Sequence, residues 1–221
     1  MGEILNQKAT KRDSNSKTLR ILRAAALVGL VSLALCLSVG ASAADAEHDY
    51  VGVAKCKTCH KKDGIGNQYG TWLDTKHAKA YETLGSDQAK KWAAEAGVDD
   101  PQTDDKCVKC HVTAHGVPAE RLSRKFDKTL GVQCESCHGA GKDYRKKKIM
   151  IDLELAKSKG LVKPEEKDCV TCHNDESPAW KPDRYTRDDG SKVGFDFDQA
   201  AKAIAHPVPE GYDPMAEGEA D

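Results

Sequence analysis

Cys107–Gly116 reads C-V-K-C-H-V-T-A-H-G, and Gly131–Gly141 reads G-V-Q-C-E-S-C-H-G-A-G. These segments hold two C-x-x-C-H pentads 27 residues apart, Cys107/Cys110/His111 and Cys134/Cys137/His138, with His115 between them. A further pentad lies upstream at Cys56/Cys59/His60, and another downstream at Cys169/Cys172/His173. C-x-x-C-H is the attachment signature of c-type haem. Two thiols at that spacing can each take one haem vinyl group as a thioether, and the adjacent imidazole then faces the iron. Four such pentads predict four covalently attached haems.

The chain has nine cysteines, and the pentads use eight; the ninth, Cys36, sits in an apolar run away from them. A disulfide framework uses the same residue type but gives no reason for a histidine after every second cysteine. Structural zinc can use Cys-x-x-Cys thiolates, yet leaves His60, His111, His138 and His173 unexplained. With 5% aromatic and 31% charged residues among 221, the polypeptide alone offers a thin core. Small domains short of core need staples of some kind, and four haems would supply the missing apolar bulk. The expected class is mainly α with extensive loops, a compact multihaem cytochrome c built around the cofactors.

Residues 1–23 are polar and basic, residues 24–39 are an apolar run, and Ala41-Ser42-Ala43 follows. That is the pattern of a secretory signal peptide. At 16 residues the run is shorter than the roughly 20 that span a bilayer. Residues 1–43 are therefore read as a cleaved signal, with an uncleaved membrane anchor as second choice, and 44–221 as the tetrahaem domain. This domain carries 28 basic and 33 acidic residues, a net charge of −5, and nothing in it suggests nucleic-acid binding.

Along the chain, Thr71 is expected to cap a helix from Trp72 to about Leu84 that carries His77, and Ser86 to cap Asp87–Ala96 with Gly97 as its stop. Asp104–His111 should bring in the second pentad on a helical turn. Further helices are expected from Pro118 to about Phe126, from Ile149 to Lys159, and over about Asp198–Ala205, with a polar loop at 178–194. No strand longer than four residues is expected.

Eight histidines are present. The four pentad histidines are the proximal candidates. His48, His77, His115 and His206 are the candidates for four sixth positions, a number that permits bis-His ligation without requiring it. His115 lies four residues after His111, so in a helix both would point to one side and His115 would serve a neighbouring haem.

The motifs C-K-T-C-H, W-L-D-T-K-H-A-K-A, C-V-K-C-H-V, G-V-Q-C-E-S-C-H-G-A-G-K-D-Y-R and F-D-F-D-Q-A-A-K-A-I-A-H resemble the cytochrome c-554 family over most of residues 50–206. The resemblance implies a largely helical tetrahaem fold with closely packed haem pairs, mostly bis-His. It also implies passage of electrons between periplasmic enzymes and quinone-linked carriers. It supports His77 and His206 as distal ligands. Some relatives keep one haem five-coordinate at the second pentad. This chain differs in carrying His115 and in having no histidine over Tyr144–Ile149.

The expected function is a periplasmic electron carrier with periplasmic or membrane redox proteins as partners, and membrane contact only through 24–39 if uncleaved. The alternative is a reductase of a small nitrogen or sulfur oxide at one five-coordinate haem. A third class is a haem-bearing subunit of a larger membrane complex. The basic run Lys142–Lys148 reads either as a solvated face or as a guide for an anion or an acidic partner.

Overall fold

The computed structural model describes residues 48–213, so the signal or anchor expected over 1–43 lies outside the described residues. Helices dominate the described residues, and all of these are short. In chain order they are α1 Val53–His60, α2 Gln68–Leu73, α3 Ala80–Leu84, α4 Asp87–Glu95, α5 Asp105–His111, α6 Glu135–His138, α7 Lys147–Met150, α8 Leu153–Ser158, α9 Glu166–Cys169 and α10 Phe197–Ala203. Irregular chain and isolated 3-10 turns join them. Among the described residues no helix is long and apolar enough to cross a membrane.

Local chemistry sets most helix starts. The Ser86 hydroxyl accepts from the Ala89 N–H, and the Asp104, Asp152 and Asp196 carboxylates accept from Lys106, Leu155 and Gln199 N–H groups. Each satisfies a donor that the first helical turn leaves without an intrahelical partner. The helix on Ser86 and the one on Asp104 match the sequence expectation.

Four expectations about secondary structure are corrected. The single helix expected over 72–84 is two, α2 and α3, with the cap at Asn67 and not Thr71. The Thr75 hydroxyl donates to the Trp72 carbonyl, and the His77 carbonyl accepts from Val132 N–H as well as Ala80 N–H. That tertiary pairing holds 74–79 out of helical register. The helix expected over 118–126 is only a 3-10 turn at Ala119–Arg121. Tyr50 bridges Leu122 there, with Tyr50 N–H on the Arg121 carbonyl and Ser123 N–H on the Tyr50 carbonyl, so the segment is extended. Asp152 splits the helix expected over 149–159 into α7 and α8. The polar loop at 178–194 contains a hairpin, β1 Tyr185–Thr186 antiparallel to β2 Lys192–Val193.

The side-chain core is small. Leu84, Val108 and Val112 form its apolar cluster, with Tyr81 and Cys107 packed against it. Among the described residues the largest fully buried side chains are polar: Gln133, Glu135 and Thr113. They belong to the third pentad and its surroundings, where much of the tertiary hydrogen bonding converges.

Candidate haem-binding site

Each pentad folds as about one helical turn, which places its histidine beside its cysteines. α1, α5 and α6 end on His60, His111 and His138, and His173 N–H bonds the Cys169 carbonyl at 3.0 Å. The rings are aimed by partners on Nδ1. His60 meets the Gln68 side-chain carbonyl at 3.1 Å, His111 the Ala80 carbonyl at 2.7 Å, and His138 the Val162 carbonyl at 3.1 Å. His206 meets the Ile204 carbonyl at 2.8 Å. A carbonyl can only accept, so Nδ1–H is the donor and Nε2 keeps its lone pair for a metal.

Two pentad imidazoles, those of His173 and His138, face a second one. His77 and His173 have ring centres 6.0 Å apart with planes at 72°; His138 and His206 are 5.9 Å apart at 88°. Two nitrogens each about 2 Å from one metal ion put the ring centres about 6 Å apart. Burial lowers the pKa of His77, His138 and His173 from the ordinary imidazole value, which favours the neutral, ligating form.

The remaining two spare histidines are placed differently. His48 Nδ1 lies 2.7 Å from the Asp143 carboxylate, and its ring edge packs on Gly160. His115 Nε2 lies 3.0 Å from the Asp105 carboxylate. The helical geometry assumed for His115 does not form, because α5 ends at His111 and Ala114 adopts φ +58°. Among the described residues neither ring faces a second imidazole.

The pentads neighbour one another in a definite order. Cys56 and Cys134 are neighbours, and their interaction pushes the Cys56 thiol up and the Cys134 thiol down in pKa. Cys110 and Cys172 are likewise adjacent; burial and then Cys172 push the Cys110 thiol up to about 11. The first pentad thus lies against the third, and the second against the fourth. A cavity of about 420 Å³ opens between Cys56, His60, Cys134, Cys137, His138 and His206.

Cys59 is set apart from the other pentad thiols. It is exposed, whereas the other seven are half-buried, and it does not line the cavity that Cys56 and His60 share. The reason lies in α1, a surface helix whose one buried residue is Val53. Cys56 takes the inward position, against Cys134. Three residues on, a helix has turned through about 300°, so Cys59 is rotated roughly 60° from Cys56, toward solvent.

The residues inside and beside the third pentad hold this arrangement together. Glu135, 2% exposed, accepts from Val51 N–H at 2.9 Å, Gly52 N–H at 2.7 Å and Gly141 N–H at 2.7 Å. The Gln133 side chain accepts from Val53 N–H and donates to the Asp127 carbonyl, both at 2.8 Å. Together they hang the start of α1, and so the first pentad, on the third. Gly131, at φ +75°, lets the His77 carbonyl come so close that an added Cβ would sit 2.5 Å from it. Only glycine fits there.

Comparison with known proteins agrees with this geometry. The family model described as cytochrome c554 and c-prime matches residues 55–139. A curated protein, cytochrome c-554 of Nitrosomonas europaea, is 32% identical over 197 residues, covering 80% of this chain and 82% of that one. The chain belongs to the cytochrome c-554 family. No solved structure matches it.

Membership makes this a c-type haem protein of the electron-transfer kind. The residues present fit covalent haem: paired thiols beside each histidine, Nε2 atoms left free, and imidazole pairs spaced for one iron. They fit structural zinc poorly. Such a site is closed by four donors, and among the described residues no group of three or more Cys, His, Asp or Glu gathers to hold an ion. Sequence reasoning missed several supporting residues of this cytochrome c-554 relative. Phe195 stacks on His173 with ring centres 5.1 Å apart and planes at 20°, and Tyr185 meets Phe195 edge-on. Phe195 belongs to the quoted F-D-F-D motif, whose signal rests on its histidine. Gln68, Glu135 and the carbonyls of Ala80 and Val162 carry no sequence signal of their role.

Proposed function

We infer that this protein is a periplasmic tetrahaem electron carrier. Each pentad binds one haem through its two cysteines, with His60, His111, His138 and His173 as proximal ligands. Cys59 makes its thioether at the solvent edge of the first haem, in keeping with its exposure. His77 and His173 would hold one iron between them, and His206 and His138 another. The observation that carries this reading is the pair of facing imidazoles near 6 Å. Bound haem supplies a one-electron Fe(III)/Fe(II) couple. The chain fixes the axial ligands, dries the site and sets hydrogen bonds to the rings, which are its levers on the potential.

The proximity of the pentads supports a route through the molecule. Cys56 neighbours Cys134, Cys172 adjoins Cys110, and Cys137 lies within electrostatic range of Cys169 and Cys172. The pentads therefore follow one another in space as first, third, fourth, second. Electrons would traverse the protein in that order or its reverse.

The direct test is the intact mass of the exported protein. The mature chain is expected to exceed its polypeptide mass by four haems, and to lose one when both cysteines of any one pentad become alanine. A mature mass carrying no haem would sink the reading.

A second reading, reduction of a small nitrogen or sulfur oxide at an open haem face, draws on His115. Its Nε2 is engaged by Asp105 and so turned from ligation. A nitric oxide-binding high-spin signal in the electron paramagnetic resonance spectrum of the oxidised protein would favour that reading. All-low-spin haems that bind no added ligand would exclude it.

A further inference from the structure

Charge is distributed unevenly along this chain. Residues 144–163 hold seven basic and two acidic residues, an excess of +5, whereas the rest of 44–221 holds 21 basic and 31 acidic, a net of −10. This segment contains α7 and α8, which pack on each other. Arg145, Lys146, Lys148, Lys159 and Lys163 are exposed, and among the described residues none pairs with a carboxylate. The same segment exposes Leu153 (56%), Leu155 (38%) and Val162 (44%). Aliphatic surface among unpaired cations is a combination suited to a transient, electrostatically guided contact.

The segment is also wired to the interior. Val162 N–H bonds the His138 carbonyl at 3.0 Å, and the Val162 carbonyl accepts from the His138 ring. The neighbouring residue, Leu161, lines the cavity beside His138 and His206, and its N–H bonds the carbonyl of the fully buried Ala156. Val162 thus has its side chain in solvent and its backbone on both ends of a proximal histidine. No other exposed apolar side chain among the described residues has a backbone bond to a pentad imidazole ring.

We propose that the surface around Val162, framed by Arg145, Lys146, Lys148, Lys159 and Lys163, is the docking site for an acidic one-electron redox protein. This proposal rests on the haem reading above. The partner's reduced centre gives up one electron, one ferric iron on the His138 side becomes ferrous, and no bond or proton is exchanged. An anionic membrane is a weaker match for the same cations. α8 has six residues, too few for an interfacial helix with a broad apolar face, and a lipid surface has no use for a contact on His138.

The test uses the full haem-loaded protein and the triple variant Lys146→Glu, Lys148→Glu, Lys163→Glu. Reduced flavodoxin serves as the acidic protein probe, and hexaammineruthenium(II) as a small cationic reductant. Haem content is measured first, so that absence of haem counts against the haem reading and not against the docking site. The wild-type rate with flavodoxin is expected to fall with added salt. The variant rate at low salt is expected to be at least about tenfold lower, at the low end of electrostatic steering. The rate with hexaammineruthenium should not fall. A variant as fast as wild type with flavodoxin overturns the proposal, as does equal slowing of both reductants. So would charge-dependent sedimentation with phosphatidylglycerol vesicles that abolishes flavodoxin reactivity, or a salt-sensitive dimer in sedimentation velocity that the variant dissolves.

Discussion

Glu135→Ala is expected to cost the haem-loaded protein on the order of 3–5 kcal/mol, a large share of the roughly 5–15 kcal/mol that holds a domain folded. The Glu135 carboxylate takes three backbone N–H groups, those of Val51, Gly52 and Gly141, in a site that is almost solvent-free. Removing an acceptor leaves buried donors unsatisfied at about 1–3 kcal/mol each, before any water enters the gap. Glu135→Gln is a milder change with a specific defect. Its oxygen can keep the two bonds made by Oε1, to Val51 and Gly141, but its amide then presents N–H to the N–H of Gly52. A loss of about 1.5–3 kcal/mol is expected, the range for one hydrogen bond to a charged group. Guanidinium unfolding, on samples shown to carry equal haem, measures both. An alanine variant within about 1 kcal/mol of wild type would remove Glu135 from its structural role.

His77→Met is expected to raise the potential of one haem and leave that haem attached. Thioethers at Cys169 and Cys172 would not depend on His77, which faces His173 across 6.0 Å from another part of the chain. Axial ligand identity moves haem potentials over about 0.8 V, and His/Met ligation lies above bis-His, so a rise on the order of 100 mV or more is expected. His77→Ala should instead leave one iron five-coordinate and high-spin. Potentiometric titration followed by visible and paramagnetic resonance spectra reads both variants. Unchanged titration and spectra in the two variants would strike His77 from the ligand set, and with it the pairing inferred for the fourth pentad.

The local features were legible in the sequence, and the tertiary ones were not. Ser86 and Asp104 cap helices that begin where the sequence says they should, because a cap needs only a side chain and the next three N–H groups. The pentads were legible because attachment fixes their spacing within five residues. Spacing does not say how deep each thiol lies, which is why the exposure of Cys59 on the outer side of α1 had no signal. The break between α2 and α3 was not legible either, since it depends on Val132, some 55 residues beyond His77, donating to the His77 carbonyl. Likewise, the helical pattern after Pro118 gives way to pairing with Tyr50, which no local rule foresees. Glu135 and Gln133 occupy and flank a haem motif as ordinary polar residues. Their burial follows from which N–H groups arrive from 51–53, and only the folded chain brings those together.

The neighbouring thiols of Cys56 with Cys134, and of Cys110 with Cys172, have a bearing on how the protein is made. Two adjacent thiols are also the starting point of a disulfide once an oxidant accepts the electrons. A crosslink between the first and third pentads, or the second and fourth, would consume sulfurs that the proposed haem attachment needs. Biogenesis is then a race between ligation and oxidation, which a chain folded early in an oxidising compartment would lose. The order of events that avoids this is reduction first, haem attachment next, and compaction last, so that the contacts that complete the folded protein close only after its sulfurs are spoken for.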